Sequence, residues 1–105
     1  MNKSCCMIIT TVPNISEAKA LAKNTMKQRL AACVQVIPNL SSYFHWKGKL
    51  EVSEECQLHF KTLDVQADQL MEMIKTNHAY ETPEIIKIGI DAIDPDYYEW
   101  VKSSV

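Results

Sequence analysis

From Cys56 to Thr62 the chain alternates strictly. Cys56, Leu58, Phe60 and Thr62 fall on one side and Gln57, His59 and Lys61 on the other, the pattern of a half-buried strand. The preceding stretch, from about Cys33 to Trp46, is rich in β-branched and aromatic residues (Val34, Val36, Ile37, Tyr43, Phe44, Trp46), and Lys47-Gly48 supplies two-residue turn chemistry. Leu30 to Thr62 therefore predicts one long antiparallel hairpin. Pro38 cannot donate a ladder hydrogen bond, so the first arm is expected at a sheet edge or bent at a bulge there.

The length of this hairpin has a consequence for assembly. Arms of about 14 residues span roughly 45 Å at ~3.3 Å per residue, whereas a helix of about 13 residues, the longest expected here, covers only about 20 Å. The outer half is left without a helix of its own chain to cover it. Tyr43, Phe44 and Trp46 lie there beside an open strand edge, which predicts a homo-oligomer formed through the sheet.

Around the hairpin, Ser4 to Val12 is a nearly unbroken apolar run suited to a central strand, and Pro13 ends it. Asn14 and Glu17 have capping-box spacing, and Ala18, Leu21, Ala22, Met26 and Leu30 form the apolar stripe of a first helix, opposite Lys19, Lys23 and Lys27. Asp64 is placed as the N-cap of a second helix that carries Ala67, Leu70, Met71 and Ile74. Asn77 to Pro83 is a loop, and Ile86, Ile88 and Ile90 alternate as a short strand. Asp94-Pro95 then opens a final helix expected to bury Tyr97, Trp100 and Val101. The order β-α-β-β-α-β is the split βαβ, ferredoxin-like arrangement of an α+β sandwich, with an extra C-terminal helix.

A chain of 105 residues is expected to form a single domain over 1–105. Its net charge of −2 gives no electrostatic reason to expect nucleic acid or an anionic membrane. No apolar run is long enough to span a bilayer and the N-terminus lacks a cleavable signal pattern, so a cytoplasmic address is expected. Cys5 and Cys6 are adjacent, Cys33 and Cys56 fall in strand patterns, and there is no CxxC; reduced thiols follow, not a disulfide framework.

The candidate chemistry is sparse. His45, His59 and His78 fit no zinc spacing, and His45 and His59 read as packing or surface residues. His78 sits in a loop with Tyr80, Glu81 and Glu84, a mixture able to hold a cation or a small polar ligand. No nucleophile elbow, Walker loop, dinucleotide fingerprint or HExxH occurs, and Gly48 and Gly89 are the only glycines available for a phosphate cradle. The third strand lacks the glycine and aromatic pattern of ferredoxin-like RNA binders. Thr10 to Asn14 lacks the arginine of an acylphosphatase-like anion loop.

Several motifs in order carry a family resemblance: Arg29 to Val34 leading into Ile37-Pro38, Trp46-Lys47-Gly48-Lys49, Lys61-Thr62, His78 to Ile85, and Tyr98-Glu99-Trp100-Val101. On these the chain resembles the CutA proteins, associated with divalent-cation tolerance, over nearly its whole length. The resemblance implies a homotrimer similar in architecture to the PII signalling proteins, without catalytic activity, and with binding of copper or another divalent metal ion. It also implies a departure. Thr10 stands where bacterial relatives carry a cysteine proposed as a copper ligand, and Asn77 and His78 stand where paired histidines can occur, which leaves His78 as the metal candidate and copper binding weak. A PII-like sensor is the alternative, binding a small anionic metabolite in intersubunit clefts through Trp46, Lys61, Tyr80 and Glu81; a structural adaptor for another protein is a third reading.

Overall fold

The computed structural model describes residues 4–105; the N-terminal signal reading draws partly on residues 1–3, which lie outside the described residues. The elements run β1 (Cys5–Val12), α1 (Ile15–Lys27), β2 (Cys33–Trp46), β3 (Lys49–Leu63), α2 (Asp64–Thr76), β4 (Ile85–Gly89) and α3 (Pro95–Ser104). The strands form one four-stranded antiparallel sheet in the order β2-β3-β1-β4, which puts the apolar run of β1 at an interior position, as its pattern requires.

One face of the sheet is the core. Cys6, Ile8, Leu58 and Phe60 point from it into α1 and α2, which contribute Ala18, Leu21, Ala67, Leu70 and Ile74, all buried. Asn14 caps α1 by accepting from the Glu17 amide at 2.9 Å. The predicted stripe of α1 needs one correction: Met26 is exposed, and Thr25 takes the buried place with its hydroxyl donating to the Leu21 carbonyl at 2.8 Å. At about 100° per residue, Thr25 returns to within roughly 20° of Ala18, while Met26 stands about 80° away. In α2, Met73 is buried and Met71 is only partly covered.

Asp64 is not the N-cap of α2. Leu63 holds that position without a side-chain cap, because the Asp64 amide is still donating across the sheet to the Ser4 carbonyl at 2.7 Å. The Asp64 carboxylate instead pairs with Lys87 at 3.7 Å and takes a hydrogen bond from the buried Cys6 thiol. Burial first, and that carboxylate second, push the Cys6 thiol up to about 11, so it is an inert packing group. None of Cys5, Cys6, Cys33 and Cys56 is joined in a disulfide. In α3, Pro95 occupies the first turn and Asp94 accepts from the Tyr97 amide at 3.0 Å. Val101 alone is buried; Tyr97 and Trp100 stack on each other at 5.5 Å and stay partly exposed, because one face of this helix finds no element of the same chain above it.

The molecule measures 47 Å along its longest axis. Lys47 and Gly48 turn the hairpin with φ of +51° and +78°, the paired left-handed residues of a type I′ turn. At the predicted bend, Ile37 pairs with Gln57 and Leu40 with Glu55, so β2 spends one residue more than β3 between the two pairs. Pro38 and Asn39, the latter at φ +60°, form this bulge on the edge strand. The extra residue reverses the alternation of β2. Before it, Cys33, Gln35 and Ile37 share the face of Lys61, His59 and Gln57; after it, Leu40, Ser42, Phe44 and Trp46 take that face over, opposite Glu55, Ser53, Glu51 and Lys49.

Candidate functional site

Two adjoining arrangements occupy the end of β1, where the 77–84 loop returns to the sheet. The first is closed on itself. The Thr10 hydroxyl donates to the Glu84 carbonyl at 2.6 Å, and its oxygen lies 3.0 Å from His78 Nε2. With its one proton committed to Glu84, Thr10 accepts from Nε2–H, while Nδ1 accepts from the Tyr80 amide at 3.1 Å. The network thus assigns a neutral, Nε2-protonated imidazole with both nitrogens engaged. Burial holds His78 below its ordinary value, which favours the same neutral state.

Tyr80 links this knot to the second arrangement. Its hydroxyl donates to Glu55 Oε2 at 2.6 Å, and burial together with that carboxylate pushes the phenol up to about 12. Tyr80 thereby stands at the wall of a cavity of about 590 Å³ bounded by the hairpin, β1 and the loop. Phe44, Trp46 and Tyr80 form its aromatic wall. Glu51, Glu55, Glu81 and Glu84 supply carboxylates, and Thr11, Ser42, Ser53 and Thr82 supply hydroxyls. Phe44, Trp46 and Ser42 face it because of the bulge at Pro38-Asn39.

The sequence-derived residues divide accordingly. Trp46, Tyr80 and Glu81 line this one cavity, whereas Lys61 is at the opposite end of β3, paired with Cys33 and Met7, its Nζ donating to Gln35 at 2.6 Å. With Lys61 elsewhere in the chain and no lysine or arginine in the lining, the cavity offers a small anion no counter-charge. His78 lies behind the cavity wall and borders a separate recess of about 150 Å³ with Glu17, Asn24 and Asn77. Copper would have to displace either Thr10 or the Tyr80 amide to reach a ring nitrogen. Among the described residues no group of three or more His, Cys, Asp or Glu is placed to hold a metal ion, so the donor set does not fit a resident copper. Glu51 and Glu55 were not singled out from the sequence. Glu55 lies on the polar side of β3, and only the closure of the loop over it makes it 8% exposed.

An α+β sandwich of ferredoxin-like order with a protruding hairpin and a terminal helix is therefore the class of protein that the fold defines. The chain belongs to the CutA family: the family of the CutA1 divalent ion tolerance protein matches residues 6–104. The chloroplastic protein CutA 1 of Oryza sativa is 38% identical over 98 residues, covering 93% of this chain, which spans 55% of the length of that relative. The divalent-cation tolerance protein CutA of Escherichia coli is 34% identical over 104 residues, covering 99% of this chain and 93% of that protein. Among solved structures, CutA1 from Oryza sativa superposes with a TM-score of 0.94 at 35% identity, over 99% of this chain and 97% of that one. CutA from Xylella fastidiosa superposes with a TM-score of 0.94 at 29% identity, over 97% and 98% of the two chains.

Proposed function

We propose that this protein serves divalent-cation tolerance as a non-enzymatic homotrimer in the cytoplasm, with copper meeting only weak donors around His78. The observation that carries this reading is the shared fold over nearly the whole chain with relatives named for divalent-cation tolerance. Support for a non-catalytic role comes from the knot at Thr10: its hydroxyl, both His78 nitrogens and the Tyr80 phenol are all spent on one another or on neighbouring groups.

Support for assembly comes from two uncovered apolar surfaces. The outer hairpin exposes Tyr43, Trp46, Leu50 and Val52 beside the free edge of β2, and the sheet face away from α1 and α2 exposes Ile86 and Ile88. Native mass spectrometry on metal-stripped protein, with copper added in steps, tests both parts. A trimer that retains little copper is the expected result. A monomer overturns the assembly, and a trimer holding one tightly bound copper per chain overturns the reading of His78.

A further inference from the structure

The sheet face turned away from α1 and α2 holds a half-buried histidine that the candidate site does not use. His59 belongs to a row that crosses all four strands, Gln35, His59, Ile9 and Ile86, and the next row is Cys33, Lys61, Met7 and Ile88. On its other side Ile37, Gln57 and Thr11 align. His59 Nε2 donates to the Gln57 amide oxygen at 2.7 Å, and Nδ1 forms no bond among the described residues. Lys61 Nζ reaches back to Gln35 Oε1 at 2.6 Å, and Gln35 pairs directly with His59, so the ammonium group leans toward the imidazole row. No carboxylate answers these two groups. The nearest on that side of β3 is Glu55, four positions or roughly 13 Å along the strand, and the Tyr80 hydroxyl engages it. Cys33 and Tyr97 add a thiol and a phenol, which acidification cannot make negative. α3 also contacts β3 and carries Asp94, Asp96, Glu99 and Lys102; Asp94 holds the Tyr97 amide, Glu99 pairs with Lys102, and no hydrogen bond or ion pair among the described residues joins any of the four to His59. α1 and α2 meet β3 from the core face, so their charges lie across the sheet.

We infer that the assembly formed through this face is acid-labile, and that His59 is the side chain that makes it so. The inference rests on the proposed homo-oligomer, in which a second copy covers the face beside the free edge of β2. A copy fits because Met7, Ile9, Ile86 and Ile88 form an apolar strip, and closed symmetry brings the same strip from every subunit. The same symmetry repeats every charge. Histidine is the side chain that gains its charge between about pH 8 and pH 5. In a separated chain an imidazolium at position 59 is hydrated; in the assembly it is enclosed beside isoleucines, with an ammonium group as neighbour and two neutral amides as its polar surroundings. Desolvation and like-charge repulsion both oppose it there. Separated chains therefore bind the proton more tightly than the assembly does, and acid favours separation.

The test is sedimentation velocity of the full chain over a concentration series at about pH 7.5 and about pH 5.5, with a far-ultraviolet circular dichroism spectrum at each pH. The chain is expected to be assembled at the higher pH and, still folded, to need at least about tenfold more protein to assemble at the lower. His59→Leu and His59→Gln, one apolar and one polar, are each expected to assemble alike at both. His59→Lys, which fixes the charge, is expected to be dissociated already at the higher pH. A native chain that is monomeric at the higher pH overturns the homo-oligomer and this inference with it. An assembly with the same concentration dependence at both pH values overturns the inference alone, and so does acid dissociation that persists in both His59→Leu and His59→Gln.

Discussion

Thr10 Oγ1 lies 3.0 Å from His78 Nε2, across 68 positions of sequence, and this contact decides how the loop after α2 returns to the sheet. Thr10 is fully buried, and its hydroxyl both donates to Glu84 and accepts from His78. Thr10→Val keeps the shape and removes both bonds, leaving an imidazole N–H and a carbonyl without their partner. A loss of about 2 kcal/mol is expected in a urea-unfolding midpoint analysis.

Thr10→Cys tests the same contact from the other side. A thiol there places a soft donor next to an imidazole, and copper affinity by titration calorimetry is expected to rise above that of the native chain. If it does not rise, Nε2 is not accessible to metal even with a soft neighbour.

The burial that lowers the His78 imidazole below its ordinary 6.5 has a definite sign in stability. As pH falls through 6.5 the unfolded chain takes up a proton before the folded one does, so stability is complete above 6.5 and is lost below it, down to the folded value. The melting temperature is expected to be lower at about pH 5 than at about pH 7.5, and His78→Gln to show a smaller difference between the two. An unchanged difference in the variant would assign the pH dependence to other groups.

Tyr80→Phe removes the donor to Glu55 and leaves a buried carboxylate oxygen unmatched. A destabilisation of about 1–3 kcal/mol is expected by thermal or chemical unfolding. Because the Tyr80 phenol titrates at about 12 in the folded chain and at 10 in its ordinary state, the stability it contributes is present below 10 and is lost as pH rises from there through 12.

Arg29 ends α1 with φ of +55°, while the Leu30 amide closes back onto the Thr25 carbonyl at 3.2 Å. A side chain in this left-handed position carries a cost that glycine avoids. Arg29→Gly is expected to raise stability by up to about 1 kcal/mol, read from the unfolding midpoint. A fall instead would mean that the Arg29 side chain contributes more than its backbone strain removes.

Legibility differed from element to element. The alternation of Cys56 to Thr62, the Lys47-Gly48 turn and the Asn14 and Asp94 caps were readable because each depends on neighbours within a few positions. Asp64 was misplaced as a cap because a backbone bond to Ser4, far away in sequence, holds its amide in the sheet. Tyr97 and Trp100 were expected to be buried, yet stay partly exposed in the single chain, because helical spacing reveals which residues share a face, not whether anything covers it.

By itself the sequence determined the α+β class, the order of elements, the length of the hairpin and its bend at Pro38, since local backbone chemistry and hydrophobic period dictate these. The tertiary structure decided the site. One extra residue at the bulge turned Phe44 and Trp46 toward Glu51 and Glu55, and loop closure set Tyr80 on Glu55 and His78 on Thr10. Lys61, grouped with Trp46 by motif, was left at the other end of its strand. A site depends on which side chains share a space, and in this fold that rests on strand parity and on contacts between residues distant in the chain.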